Sequence, residues 1–181
     1  MIIIFGPAGS GKSIQGQMLA ARNGWRWLSA GQLLRDTHDP ELLAAMQTGR
    51  LVEHGKVNKI VSEAIARATN VRQVILDGFP RALEQAKWLL ESEAEHGDSI
   101  ELCIVLEVPK KELMKRLEVR GRVDDTFEAI DERLEIYHHE TEPILDYLSK
   151  QGAKIAKVDG TGSVGQVHDR IMEELVKCNL G

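Results

Sequence analysis

Cysteine is scarce in this chain: of 181 residues only two are cysteine, Cys103 inside an apolar run and Cys178 near the C-terminus, with no C-x-x-C spacing. That count argues against a disulfide framework or a cysteine-built metal site, and both thiols read as buried or idle. Long apolar runs are also missing. Ile2 to Phe5 and Leu102 to Leu106 fall far short of the ~20 residues a membrane span requires, so no crossing is expected. Met1 leads into Ile2, Ile3, Ile4 and Phe5 without the basic start and cleavage site of a secretory signal, and a cytoplasmic protein is expected. Positive charge is not in excess: 23 Lys and Arg against 28 Asp and Glu leave a net charge of −5. Nucleic acid is therefore not an expected partner. No repeat, low-complexity tract or Pro/Gly/Ser linker divides the chain, and its length suits one domain.

What is present is an alternation of short apolar strands and amphipathic helices. Ile2 to Phe5 reads as a strand and Ser13 to Arg22 as a helix, stopped by Asn23-Gly24. Trp25 to Leu28 suggests a second strand, followed by helical pieces broken at Asp39-Pro40 and a helix from about Lys56 to Ala68. Val74 to Leu76 is a strand ending at Asp77-Gly78, after which Pro80 is predicted to open a helix reaching about Glu95. Leu102 to Val108 is too continuously apolar for a half-exposed strand, so it reads as covered on both faces, with Pro109 starting the next helix. From Asp125 to Lys150 a single helix is predicted, with Asp125 and Glu128 as a capping box and a kink at Pro143. Ile155 to Val158 and Val164 to Val176 give the last strand and helix. Buried strands separated by helices imply a parallel α/β sheet with helices on both faces.

Gly6-Pro7-Ala8-Gly9-Ser10-Gly11-Lys12-Ser13 fits G-x-x-x-x-G-K-[ST] between a predicted strand and a predicted helix. Such a loop turns backbone N–H groups onto phosphate oxygens at a helix N-terminus, and its lysine reaches the terminal phosphates. A nucleoside triphosphate is therefore the expected ligand. Asp77 ends an apolar strand, where a carboxylate can hold Mg²⁺ beside the phosphates, directly or through water. Arg116 and Arg120 lie one helical turn apart, Arg122 follows, Arg133 sits on the next helix, and Arg35 and Arg81 lie near the ends of earlier elements. Six guanidinium groups placed so in an acidic chain suit the handling of several phosphates. His138-His139 are adjacent helical positions that share no face, and they read as solvated.

GPAGSGKSIQ, LSAGQLLR (Leu28 to Arg35), LDGFPR (Leu76 to Arg81), RGRVDD (Arg120 to Asp125) and VDGTGSV (Val158 to Val164), in that order and spacing, resemble the adenylate kinase family of nucleoside monophosphate kinases. The resemblance spans nearly the whole chain. It implies a P-loop NTPase-type five-stranded parallel sheet flanked by helices, a small helical insertion for the acceptor monophosphate at about 30–57, and a very short lid at about 121–123. It implies transfer of the terminal phosphoryl group of ATP to AMP, with Mg²⁺, by a monomer acting on small nucleotides. Carried over to matching positions, Gly9, Ser10, Gly11, Lys12, Ser13 and Ile14 would cradle the ATP phosphates, Arg120 would contact them, and Arg116 and Gly162 would take the adenine. Lys12, Arg81, Arg120, Arg122 and Arg133 would carry the catalytic charge. Ala30, Gly31, Arg35, Met46, Arg50, Leu51, Val52, Gly78, Phe79, Pro80, Arg81, Gln85, Arg122 and Arg133 would hold the AMP. Ser13 and Asp77 would serve the metal.

The chain also departs from the family pattern. Ser13 and Ile14 stand where glycine and threonine are usual, Gln32 replaces an aspartate, and the segment between Arg35 and Met46 is short. Some family members carry zinc in a cysteine-rich lid; Gly121 to Asp125 holds no cysteine, and no zinc is expected. Ala30 resembles UMP/CMP kinases, the main alternative, whereas Gln85 resembles adenylate kinases. A carboxamide offers both a donor and an acceptor to a base edge, so Gln85 carries more weight and AMP is the expected acceptor. Leu28 to Gln32 also resembles the signature of transporter-type ATPases. It follows the P-loop too closely for that reading, and Asp77 is followed by glycine rather than glutamate.

Overall fold

The computed structural model describes residues 1–47, 52–96, 99–121 and 126–180. Five strands, β1 (Ile2–Phe5), β2 (Arg26–Ser29), β3 (Val74–Asp77), β4 (Leu102–Glu107) and β5 (Lys154–Asp159), form one sheet in the order β2-β3-β1-β4-β5. Every pair is parallel. The helices are α1 (Lys12–Asn23), α2 (Ala30–Asp36), α3 (Pro40–Gln47), α4 (His54–Ala66), α5 (Leu83–His96), α6 (Lys110–Arg120), α7 (Phe127–Lys150) and α8 (Val164–Lys177).

Strand periodicity divides the core in two. Ile2, Ile4, Ile75, Leu102, Ile104 and Leu106 point to one face and pack with Leu19 of α1 and Val167, Ile171 and Leu175 of α8. Ile3, Phe5, Leu76, Cys103 and Val105 point to the other, against α2, α4, α5 and α7. Both faces are thus dry, which is why β1 and β4 read as unbroken apolar runs. The Cys103 thiol is free and buried, and desolvation pushes its pKa up to about 12. A third, smaller cluster of Leu113, Leu117, Ile130 and Leu134 locks α6 to α7 and reaches Ala8 of the loop after β1.

Parallel pairing puts all five strand ends on one edge. Chain order reverses around β1, which lies between β3 and β4, so a crevice opens beyond the carboxyl ends of β1 and β3.

Two sequence expectations are corrected. Helix α5 begins at Leu83, not at Pro80. Among the described residues the helical ladder opens with the Ala86 N–H on the Ala82 carbonyl at 3.1 Å, and the Arg81 N–H ahead of it is satisfied by Gln85 Oε1 at 2.8 Å. Helix α7 begins at Phe127, and its cap is Thr126, whose side chain accepts from the Ala129 N–H at 3.2 Å, rather than Asp125. Asp125 itself lies outside the described residues. The helix continues through Pro143, which faces solvent. His138 and His139 are exposed.

Candidate active site

A cleft of about 630 Å³ occupies the crevice at the strand ends. Its floor is the loop between β1 and α1. A methyl group on Gly9 would lie 2.9 Å from Leu117 Cγ and 3.2 Å from the Leu113 carbonyl, and φ is +83°, so only glycine fits there. The loop is thereby pressed onto α6, and its backbone turns toward the open cleft. Gly11 caps α1 in the left-handed region at φ 97°. The first turn of α1 carries no acidic residue, which leaves its N-terminal potential available to an anion.

Lys12 folds back over this floor, donating from Nζ to the carbonyls of Gly6 at 2.6 Å and Pro7 at 2.9 Å. Burial lowers its pKa to about 8; Asp77 opposes that shift, and Arg81 and Arg120 add to it. Ser13 Oγ donates to Asp77 Oδ2 at 2.6 Å, and Asp77 is only 3% exposed. A hydroxyl and a carboxylate oxygen thus stand together at the end of β3, hard donors of the kind a divalent cation takes.

On one side of the floor lie Ala30 and Gly31 of α2, Arg35, Met46, Val52, Gly78, Phe79, Arg81, Gln85 and Arg133. Arg81 faces the cleft, its Nε donating to the Gly78 carbonyl at 3.0 Å. Its pKa is lowered chiefly by the loss of bulk water inside the cleft, against the pull of Asp77, and then by the cations of Arg133 and Arg35. Arg133 Nη2 reaches across from α7 to the carbonyl of Met46 on α3, at 2.8 Å. Gln85 is 2% exposed, with its oxygen committed to the Arg81 N–H, which leaves Nε2 as its donor.

On the other side lie Ile14, Arg116, Arg120, Gly160, Gly162 and Val164. Arg116 Nε donates to Glu112 Oε1 at 2.9 Å, and its Nη2 donates to the Gly160 carbonyl at 3.1 Å. Ile14 and Val164 are 50% and 46% exposed, apolar surface left open beside a phosphate-binding type of loop.

A family model described as Adenylate kinase matches residues 4–153 of the chain. The chain is 36% identical over 176 residues to a protein named adenylate kinase from Maricaulis maris, covering 92% of this chain and 93% of that relative. It is 35% identical over 184 residues to a Thermus thermophilus protein of the same name, covering 96% of each. A Micrococcus luteus adenylate kinase is 34% identical over 182 residues, covering 95% of this chain and 88% of the relative. The chain belongs to the adenylate kinase family.

Most positions that the family motifs single out therefore share one cleft. Pro80 instead borders a smaller cavity of about 90 Å³ behind the P-loop, with Tyr137 and Thr141. Arg50, Leu51, Arg122 and the lid beyond Gly121 lie outside the described residues. Gln32 does not line the cleft: it is exposed and donates from Nε2 to Asp36 Oδ1 at 2.7 Å. Sequence reasoning missed Gln15, Gln17, Ser29, Leu34, Val57, Glu112, Gly160, Val164 and Val167 as cleft residues. Glu112 had a readable signal, because it stands four residues before Arg116 on one helix. Among the described residues no group of three or more His, Cys, Asp or Glu side chains is placed to hold a metal ion. None of their helices is long and apolar enough to cross a membrane.

Proposed function

We propose that the chain reversibly transfers the terminal phosphoryl group of ATP to AMP, yielding two ADP. The observation that carries this reading is the convergence of Lys12, Arg35, Arg81, Arg120 and Arg133 on one cleft that has a P-loop floor and a Gln85 wall. Two nucleotides meeting head to head bring several negative charges together, and catalysis of their exchange is chiefly positioning and charge neutralisation.

The backbone of Gly9 to Ile14 wraps the donor phosphates, with Lys12 turning from the Gly6 and Pro7 carbonyls onto them and Arg120 beside it. Arg116 and the Gly162 loop seat the donor base. Arg35, Arg81 and Arg133, with Arg122, hold the acceptor phosphate and the group in flight. The acceptor base lies among Ala30, Gly31, Met46, Arg50, Leu51, Val52, Gly78, Phe79 and Gln85. An oxygen of the acceptor phosphate bonds to the terminal phosphorus as the bond from that phosphorus to the bridging oxygen breaks, so ADP leaves and no net proton moves. The acceptor's second pKa near ~6 leaves it ionised at neutral pH, and no general base is required.

Ser13 and Asp77 would hold Mg²⁺, directly or through water, and their donor chemistry fits it. When bound, Mg²⁺ neutralises charge on the donor phosphates. We further propose that residues 30–57 form the acceptor-binding insertion and 121–123 the lid. The working form is proposed to be a cytoplasmic monomer without zinc.

UMP/CMP kinase activity is the second reading, favoured by Ala30, which lines the cleft. A coupled assay of ADP formation with AMP, CMP and UMP separates the two. A buried amide left unpaired by the wrong base costs ~1–3 kcal/mol, so kcat/KM for AMP is expected to exceed the others by about ten- to hundredfold. Gln85→Asn, one methylene shorter, cannot both cap the Arg81 N–H and reach a base, and it is expected to narrow that gap. Equal or better turnover of CMP would overturn the assignment to AMP.

A further inference from the structure

The loop joining β5 to α8 is held by two arginines from opposite sides. Arg116 of α6, steered by Glu112, donates to the Gly160 carbonyl at 3.1 Å. Arg170 of α8 donates from Nη1 to the carbonyls of Asp159 and Thr161, both at 2.8 Å. Three consecutive carbonyls, at 159, 160 and 161, are thus fixed by guanidinium groups. The N–H groups are engaged as well: Gly160 to the Glu107 carbonyl at 2.9 Å, Thr161 to Asp159 Oδ1 at 2.9 Å, and Ser163 to Gln166 Oε1 at 2.9 Å.

Gly162 is the exception. It sits at φ +94° and lines the cleft, and among the described residues its N–H donates to no partner and its carbonyl accepts from none. A peptide group kept free in a loop whose other polar groups are tied is preorganised to bind something, and the neighbouring exposed Ile14 and Val164 offer apolar surface to a flat ring. Arg170 does not line the cleft. Its side chain is 38% exposed, with the Asp159 carboxylate 3.7 Å away, so truncating it opens no core cavity.

We infer that Arg170 is a positioning residue for the donor nucleotide's base, holding the Asp159 and Thr161 carbonyls so that Gly162 faces the base edge. The inference rests on the proposed seating of the donor base at this loop. Adenine and guanine carry opposite donor and acceptor patterns on that edge, so a backbone N–H and carbonyl held in place discriminate between them, and a loosened loop does not.

The test is steady-state kinetics of Arg170→Ala and Arg170→Lys at saturating AMP, with ATP or GTP as donor. In Arg170→Ala the KM for ATP is expected to rise about tenfold while kcat and the KM for AMP stay within about twofold. The ATP-over-GTP ratio of kcat/KM is expected to fall by a similar factor. Arg170→Lys is expected to restore part of the loss, because an ammonium can donate to the two carbonyls that Nη1 holds but lacks the fixed plane of the guanidinium. A folded Arg170→Ala with unchanged ATP KM and unchanged ATP/GTP ratio would overturn the inference, as would equal increases in KM for ATP and AMP. The Gly162 amide resonance of the wild-type chain, titrated with a non-hydrolysable ATP analogue, tells the two failures apart. A shift there with unaltered Arg170→Ala kinetics overturns only the role of Arg170; no shift overturns the donor-base seating and the inference with it.

Discussion

Replacing Lys12 by alanine is expected to leave a folded chain with turnover reduced by about 10³-fold or more. Among the described residues Lys12 lies in no hydrophobic cluster and its ammonium bonds only to the Gly6 and Pro7 carbonyls of its own loop, so the sheet does not depend on it. Its charge is nevertheless delivered over the P-loop floor, where, on the proposed reading, negative charge builds in the transferring group. Burial has already lowered its pKa to about 8. A bound triphosphate favours the ammonium and raises that pKa again, so donor binding takes up a proton wherever the free chain has lost one. The KM for ATP is therefore expected to be flat below pH 8 and to climb above it, by at most about tenfold per pH unit. Lys12→Arg, whose charge does not titrate there, is expected to flatten the climb whatever its turnover. Near-normal turnover by a folded Lys12→Ala would contradict the P-loop assignment.

Removal of the Arg133 guanidinium is expected to lower kcat by about 10³-fold, by analogy with arginines that stabilise phosphoryl transfer elsewhere. Burial chiefly lowers the pKa of Arg81, and the neighbouring cations of Arg133 and Arg35 add to that lowering, a repulsion that an incoming phosphate relieves. On the proposed reading Arg133 also fixes the acceptor side mechanically, through the 2.8 Å bond from Nη2 to the Met46 carbonyl. Arg133→Ala is accordingly expected to raise the KM for AMP more than that for ATP. Steady-state kinetics with each nucleotide varied in turn, beside a melting curve, reads both effects. A loss below about tenfold in a folded variant would demote Arg133 to a structural charge.

How far the sequence was legible followed from how local each signal was. The P-loop was readable because eight contiguous residues carry its geometry, and β1 and β4 because burial on both faces leaves no polar alternation. The start of α5 was misread at Pro80, a residue common at helix starts, whereas the helical ladder opens only with the Ala86 N–H on the Ala82 carbonyl. Gln15 was missed as a cleft residue although it lies four residues before buried Leu19 on one helix face and is itself a buried polar side chain. There it bridges to α8, donating to the Val164 carbonyl at 2.9 Å and pairing with His168 Nδ1 at 3.1 Å. Contacts such as these, and the Arg133 bond to Met46 across 87 positions, have no signature in spacing, because the fold alone brings the partners together.

The central claim is that donor and acceptor sites both take adenine nucleotides, and incubation with ADP and Mg²⁺ alone tests it most directly. The expected result, read by ³¹P NMR or anion-exchange chromatography, is loss of ADP with ATP and AMP appearing in equal amounts. ADP left unchanged by a chain that phosphorylates CMP or UMP from ATP would contradict it.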